Sequence, residues 1–252
     1  MDLPTDFTTL TISELACVMI DSTHDPGPEQ DSSTPGLIVS VVLFRLQSGE
    51  LHVNLATDTT SKLPSDAPRP DESLDAAAHR IVRTLLRANE EYMEQLYTFS
   101  PANAPQRSVV VSYLALQQPS DSDSSRNDDG WKSVSDISFD DGSDQAVLDY
   151  ALIRLRAKLG YTNIAFHLVP EKFTLPELQR AYESILLHAV DKRNFRRRIL
   201  ASGILTQTNE KRRDGSHRPA ALYRFASQED HTSYLTPSRS VADGPKDQES
   251  GT

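Results

Sequence analysis

Lys192, Arg193, Arg196, Arg197 and Arg198 put five cations within seven positions, with Asn194 among them. A second group follows at Lys211, Arg212, Arg213 and Arg218. Clustered cations attract phosphate, and a guanidinium can pair bidentately with guanine O6 and N7. The chemistry on offer is recognition of a polyanion, and double-stranded DNA is the partner that uses a charged helix and a charged turn together. Arg193 and Arg197 lie four apart, on one side of a helix, with Arg196 beside them. Phe195 and Ile199, also four apart, lie on another side and can bury it.

Chemistry of other kinds is sparse. Seven histidines are scattered without metal-ligand spacing. There is no nucleophile elbow, P-loop or dinucleotide glycine fingerprint. The one cysteine, Cys17, excludes an intrachain disulfide. It reads as a small core residue in a reducing, cytoplasmic compartment, with the nucleoid as the bound location. No stretch approaches the roughly 20 apolar residues of a membrane span. The opening "MDLPTDFTTL" lacks the basic and apolar regions of a signal peptide.

Charge is segregated along the chain. The 252 residues carry a formal net charge of -10. From Pro170 to Phe225, twelve Lys/Arg face six Asp/Glu, giving +6 and leaving -16 for the rest. Such a split marks a cationic module on an acidic body. Its cations fit DNA, an acidic protein partner, or the acidic body itself.

The elements that must hold these residues follow from pattern. "GLIVSVVLFRLQSGELHVNLA" reads as two strands about a turn at Gln47–Gly49, with Leu51, Val53 and Leu55 alternating with His52 and Asn54. "RPDESLDAAAHRIVRTLLRANEEY" reads as a helix capped by Asp71 or Ser73, with a stripe of Leu74, Ala77, Ala78, Ile81, Leu85 and Ala88. A strand is expected over Ser108–Leu116. A short edge strand begins at Trp131, the sole tryptophan, which can anchor it. A helix is expected over Ser143–Gly160. Polar insertions at 21–36 and 119–130 are read as loops.

The basic module has its own punctuation. Thr174 and Glu177 form a capping box for one helix. Asp191 caps the next, which carries the arginines and stops near Gly203. "GILTQTNEKRRDGSHRPAALYRF" then reads as strand, turn, strand. Two helices and a basic hairpin make a winged helix.

Phe166 to Phe225, with "PEKFTLPELQ", "RNFRRRIL" and "RPAALYRF", closely resembles the winged-helix module of Nudix-related transcriptional regulators of NAD metabolism. The resemblance continues more weakly upstream to about residue 37. It implies an α+β protein: an N-terminal Nudix-like α/β/α sandwich with a mixed sheet, then a C-terminal winged helix-turn-helix. The expected division is an extension at 1–36, a Nudix-like effector and dimerisation domain at 37–160, the DNA-binding domain at 161–226, and a flexible tail at 227–252. It also implies a homodimeric repressor controlled by ADP-ribose or a related nucleotide.

The Nudix box, G-x5-E-x7-R-E-U-x-E-E-x-G-U with U a bulky apolar residue, can be laid on Asp66 to Ala88. Glu72 and Arg80 keep the E-x7-R spacing. Asp66 stands at the opening glycine, Ile81 at the next glutamate, Thr84 and Leu85 at the two metal-binding glutamates, and Arg87 at the later glycine. Magnesium prefers oxygen ligands such as carboxylates. Threonine is a poor substitute and leucine none, so no catalytic residue, metal or cofactor is assigned. Glu72, Arg80 and Arg83 remain as weak candidates for contact with an anionic ligand, and Glu72 and Arg80 equally fit a brace across the helix. The expectation is a non-enzymatic regulator. A nucleotide pyrophosphatase with an atypical metal site, a basic protein-interaction module and an architectural DNA binder are the competing readings.

Overall fold

Strand β1, Gly36–Gln47, is apolar on both faces, and the rest of the first domain covers it twice. The computed structural model describes residues 34–56, 62–86, 92–101, 107–119, 130–139, 142–160, 162–213 and 219–226. The expectations for Cys17, the N-terminal extension, Arg87, Ala88, most of the 119–130 loop and the tail lie outside those residues, as does the side chain of Leu85.

β1 turns through Ser48 and Gly49 into β2, Glu50–Asn54. Both turn residues have positive φ, 54° and 87°, as a two-residue hairpin matched to strand twist requires. A two-residue strand, β3 (Ser65–Asp66), pairs with β1 and leads to helix α1, Leu74–Leu86. β4 (Tyr92–Phe99), β5 (Ser108–Gln117) and β6 (Trp131–Ser133) complete a six-stranded mixed sheet, ordered β4-β5-β1-β2-β6. β1 and β5 run parallel; the other pairs are antiparallel.

The pleat sorts the core. Val39, Val41 and Leu43 of β1 meet Ala77, Ala78, Ile81 and Val82 of α1. Val42 and Phe44 point the other way, toward Val147, Leu148, Ala151 and Leu155 of α2 (Gly142–Leu159). Helices on both sides of a mixed sheet are the Nudix-like sandwich that the sequence implied. Each large side chain fully buried here contributes about 1.5–3 kcal/mol.

One boundary differs from the sequence reading. The helix expected to run to Tyr92 ends at Leu86, and Tyr92–Phe99 is the edge strand β4. Met93 is the only fully buried residue of β4, and the strand carries an irregularity between Gln95 and Tyr97. A strand so polar, at a sheet edge, lacks the alternation that reveals a strand. Ser73, not Asp71, caps α1: its Oγ accepts from Ala76 N at 3.1 Å.

A five-residue 3-10 helix, Ile164–Leu168, is buried throughout and leads into the second module. Helix α3 (Leu175–Leu186) begins with the expected capping box: Glu177 N donates to Thr174 Oγ1, and Thr174 N donates to Glu177 Oε2 at 2.7 Å. Helix α4 (Lys192–Ala201) begins at Asp191, whose carboxylate accepts from Asn194 N at 2.7 Å. It ends before Gly203, at φ 73°. β7 (Leu205–Arg212) and β8 (Ala220–Phe225) form the hairpin, and Phe173 joins β8 by exchanging hydrogen bonds with Tyr223. Phe166, Phe173, Leu178, Ala181, Ile199 and Tyr223 make the core of this module.

Removing the Thr174 hydroxyl leaves an orphan N–H at the first turn of α3. Thr174→Ala is expected to lower stability by about 1 kcal/mol. A urea melt checks this through a lower midpoint at an unchanged slope.

Candidate nucleic-acid interface

Helix α4 has one apolar anchor line. Ile199 is buried, and Phe195 meets Tyr182 of α3 edge-on, with ring centroids 5.2 Å apart. Burying that line turns the remaining faces outward. Lys192, Arg193, Asn194, Arg196, Arg197 and Arg198 are all exposed. Arg197 donates to Asn194 Oδ1 at 2.9 Å, which ties two of them together along the helix. Among the described residues, no carboxylate pairs with the side chains of Lys192, Arg193, Arg196 or Arg198. A cation-rich face left without counter-charges retains its full attraction for phosphate.

The hairpin behaves differently from the sequence reading at one position. Lys211 and Arg213 are exposed, but Arg212 is turned back into the module. Its guanidinium donates to Glu177 Oε1 and to the Lys172 carbonyl, each at 2.8 Å. Glu177 is already the capping glutamate of α3, so one carboxylate holds both the helix start and the hairpin. A second pair, Lys172–Glu210 at 2.6 Å, holds the same edge. Arg212 is therefore an anchor of the hairpin rather than one of its outward cations. Sequence inspection missed Lys172 and Glu210; their only signal was opposite charge on segments that the winged-helix pattern brings together. Arg218 lies outside the described residues.

The degenerate box has a clear geometry. Arg80 Nε and Nη2 donate to the two oxygens of Glu72, both at 2.9 Å. Nη1 donates to Asp66 at 2.6 Å, and Nη2 also reaches the Ala67 carbonyl at 3.1 Å. Glu72 accepts further from Arg69 N at 3.0 Å. The guanidinium bonds, aided by the Arg69 N–H, hold the Glu72 carboxyl down to about 2; Asp66 is lowered by the same guanidinium. Asp66 was expected only as a departure from glycine, yet it completes the brace. Thr84 is exposed and turns its hydroxyl onto the Ile81 carbonyl at 2.7 Å. Arg83 is exposed on the same helix. Among the described residues, no three His, Cys, Asp or Glu side chains converge to hold a metal. No helix among them is long and apolar enough to cross a membrane.

Comparison with known proteins agrees with these two halves. Residues 165–225 match the family described as the NrtR DNA-binding winged helix domain. The ADPR responsive transcriptional repressor NtrR of Acinetobacter baylyi is 32% identical over 223 residues, covering 80% of this chain and 86% of that protein. The crystal structure of Shewanella oneidensis NrtR complexed with a 27mer DNA is 29% identical, with a TM-score of 0.62 over 75% of this chain and 93% of that one. A MutT/nudix family protein from Enterococcus faecalis, 18% identical, shares the fold with a TM-score of 0.57 over 79% of this chain and 90% of that one.

A Nudix-like sandwich joined to a winged helix with an exposed cationic face defines a DNA-binding transcriptional regulator, rather than a Nudix hydrolase in the ordinary sense. The chain belongs to the NrtR family of such regulators.

The brace makes a pH prediction. A carboxyl lowered in the folded state stabilises the fold above its unfolded value, and that contribution is lost as pH falls through the folded value. Wild type is therefore expected to exceed an Arg80→Met variant in stability most at neutral pH. The difference should shrink from about pH 4.5 toward pH 2, where Glu72 protonates. Chemical melts of both proteins across that range check it.

Proposed function

We propose that this chain is a homodimeric repressor of genes of NAD metabolism, released or strengthened on DNA by ADP-ribose or a related nucleotide held, without hydrolysis, in its Nudix-like domain. The observation that carries the reading is the exposed cationic face of α4, set beside a hairpin anchored by Arg212–Glu177. A helix of this width enters a major groove, and a charged hairpin can follow the backbone or enter the minor groove. Lys192, Arg193, Asn194, Arg196, Arg197 and Arg198 are assigned to the helix contacts. Lys211, Arg213 and Arg218 are assigned to the hairpin contacts, with Arg212 placing the hairpin. Two copies related by a two-fold axis would read a pseudo-palindromic site.

The Nudix-like domain is assigned to sensing. Thr84 and Leu85 supply no carboxylate for magnesium. The response of the Acinetobacter relative to ADPR supports a nucleotide as the effector here. The effector acts through a coupling free energy between its site and DNA, typically a few kcal/mol.

The test is fluorescence anisotropy of duplex DNA from the chain's own upstream region, with and without ADP-ribose, at two salt concentrations. Specific binding that ADP-ribose changes at least about fivefold is the expected result. Binding indifferent to duplex DNA at low and high salt would favour an acidic protein partner instead. Arg196→Ala with Arg197→Ala should weaken specific binding by at least about tenfold while leaving the melt unchanged. Incubation with ADP-ribose and magnesium should yield no AMP; sustained turnover would overturn the non-enzymatic assignment.

A further inference from the structure

A half-open cavity of about 190 Å³ lies at the seam between the Nudix-like domain and the winged helix. Four apolar side chains line it: Leu51 of β2, Val134 just beyond β6, Leu152 of α2, and Leu187, which follows α3. Both modules therefore contribute walls to one small space. Ser133 Oγ and Ser135 Oγ, in the same lining, share a hydrogen bond of 2.8 Å. Two charged residues border the cavity, Arg156 of α2 and Glu50 at the start of β2.

Two of these residues point to a ligand. Arg156 is half-buried, and its Nε donates to the Ile185 carbonyl at 3.0 Å, which sets the plane of the guanidinium. Among the described residues, no carboxylate pairs with it. Glu50 is exposed, so water screens its charge. A partly desolvated cation without a counter-charge, beside apolar walls, is a group set for an anion. Leu187 has φ 57°, in the left-handed region that favours glycine. It is nevertheless a leucine, 66% exposed, at the cavity. Glycine there would relieve the backbone and remove one apolar wall.

We propose that this cavity is a binding site for a small monocarboxylate with a single apolar ring. Size sets the body of the ligand: an apolar cavity of about 150 Å³ holds benzene, so this one takes one ring and one small substituent. Charge sets the substituent, because a planar carboxylate matches the terminal nitrogens of a guanidinium. A phosphate dianion fits less well. It would give up more hydration among Leu51, Val134, Leu152 and Leu187, and Glu50 repels two charges more than one. The carboxylate meets Arg156 and the ring rests on the leucines, so the ligand touches α2 and the end of α3 together. The inference does not depend on the nucleotide-sensor reading. Domain junctions are common places for such sites.

The full-length protein is titrated by calorimetry with benzoate, with benzamide, which has the same shape and no charge, and with inorganic phosphate. Benzoate is expected to saturate with a Kd of about 1 mM or tighter. Benzamide and phosphate should each bind at least about tenfold more weakly. Arg156→Met should erase the preference for benzoate over benzamide. Arg156 also ties α2 to α3, so a second variant tests the cavity without touching that bond. Ser184 of α3 lines the cavity, and its Oγ has no hydrogen-bond partner among the described residues, so Ser184→Leu fills the space with no bond to lose. It should abolish benzoate binding while keeping the wild-type circular dichroism spectrum. Wild type that binds no benzoate, or that binds benzamide or phosphate as tightly, would overturn the proposal. So would a folded Ser184→Leu protein that binds benzoate as wild type does.

Discussion

Strand β1 carries apolar side chains on both faces, so it must be covered twice, and the molecule is organised by that need. Its odd-numbered residues require α1 and its even-numbered ones require α2. The parallel partner β5 is apolar on both faces for the same reason, which is why the two lie together at the centre of the sheet. A one-residue slip of β1 would bring Arg45 and Gln47 to the α2 face and Leu46 to the other, so the register is held by the whole core. β1 breaks its apolar pattern at Ser40, buried in mid-strand, and again at Arg45 and Gln47, where it runs past α1.

The second module is attached to this core rather than tethered beside it. Ile185 of α3 belongs to the α2-side core, while Leu178 and Ala181, on the same helix, belong to the winged-helix core. Arg156 of α2 donates to the Ile185 carbonyl at 3.0 Å. At the other end of the junction, Lys158 pairs with Glu94 of β4 at 2.6 Å and with the Tyr92 hydroxyl at 2.8 Å, and the Tyr92 ring packs on His167 at 4.9 Å. A buried ion pair of this kind is a registration device more than a source of stability. A displacement of α2 must either carry α3 with it or break these contacts. That is the physical requirement for a change at the sheet to reach α4.

How much of this was legible depended on whether local chemistry decides the local structure. Thr174, Glu177, Asp191 and Gly203 marked the helix ends because caps are local, and the structure keeps all four in those roles. β1, β2 and β5 were visible because burial on both faces, or on one, leaves an apolar pattern. β4 was not, since an edge strand needs few apolar residues and its place is set by pairing with β5. The partners of Arg212 were hidden for a related reason. Sequence shows charge, but only the fold shows that Glu177 and the Lys172 carbonyl stand within reach. The stacking of Arg45 on Trp131 was not legible either, because the two are far apart in the chain and only the pairing of β2 with β1 and with β6 brings them together.

The degenerate box shows how one arginine can outlast the chemistry around it. In a metal-dependent hydrolase, carboxylates gathered on a helix repel one another until a cation joins them. Here two carboxylates stand before the helix, Glu72 at its box position and Asp66 in place of the opening glycine, and Arg80 supplies the cation. A guanidinium satisfies them with fixed, directional hydrogen bonds and needs no metal to do so. It also binds the loop, through the Ala67 carbonyl, to the first turns of α1. Thr84 and Leu85 remove a site for magnesium, while Glu72 and Arg80, which keep the E-x7-R spacing, join α1 to its preceding loop. The helix that covers Val39, Val41 and Leu43 is thereby held by its packing on the sheet and by the brace at its start.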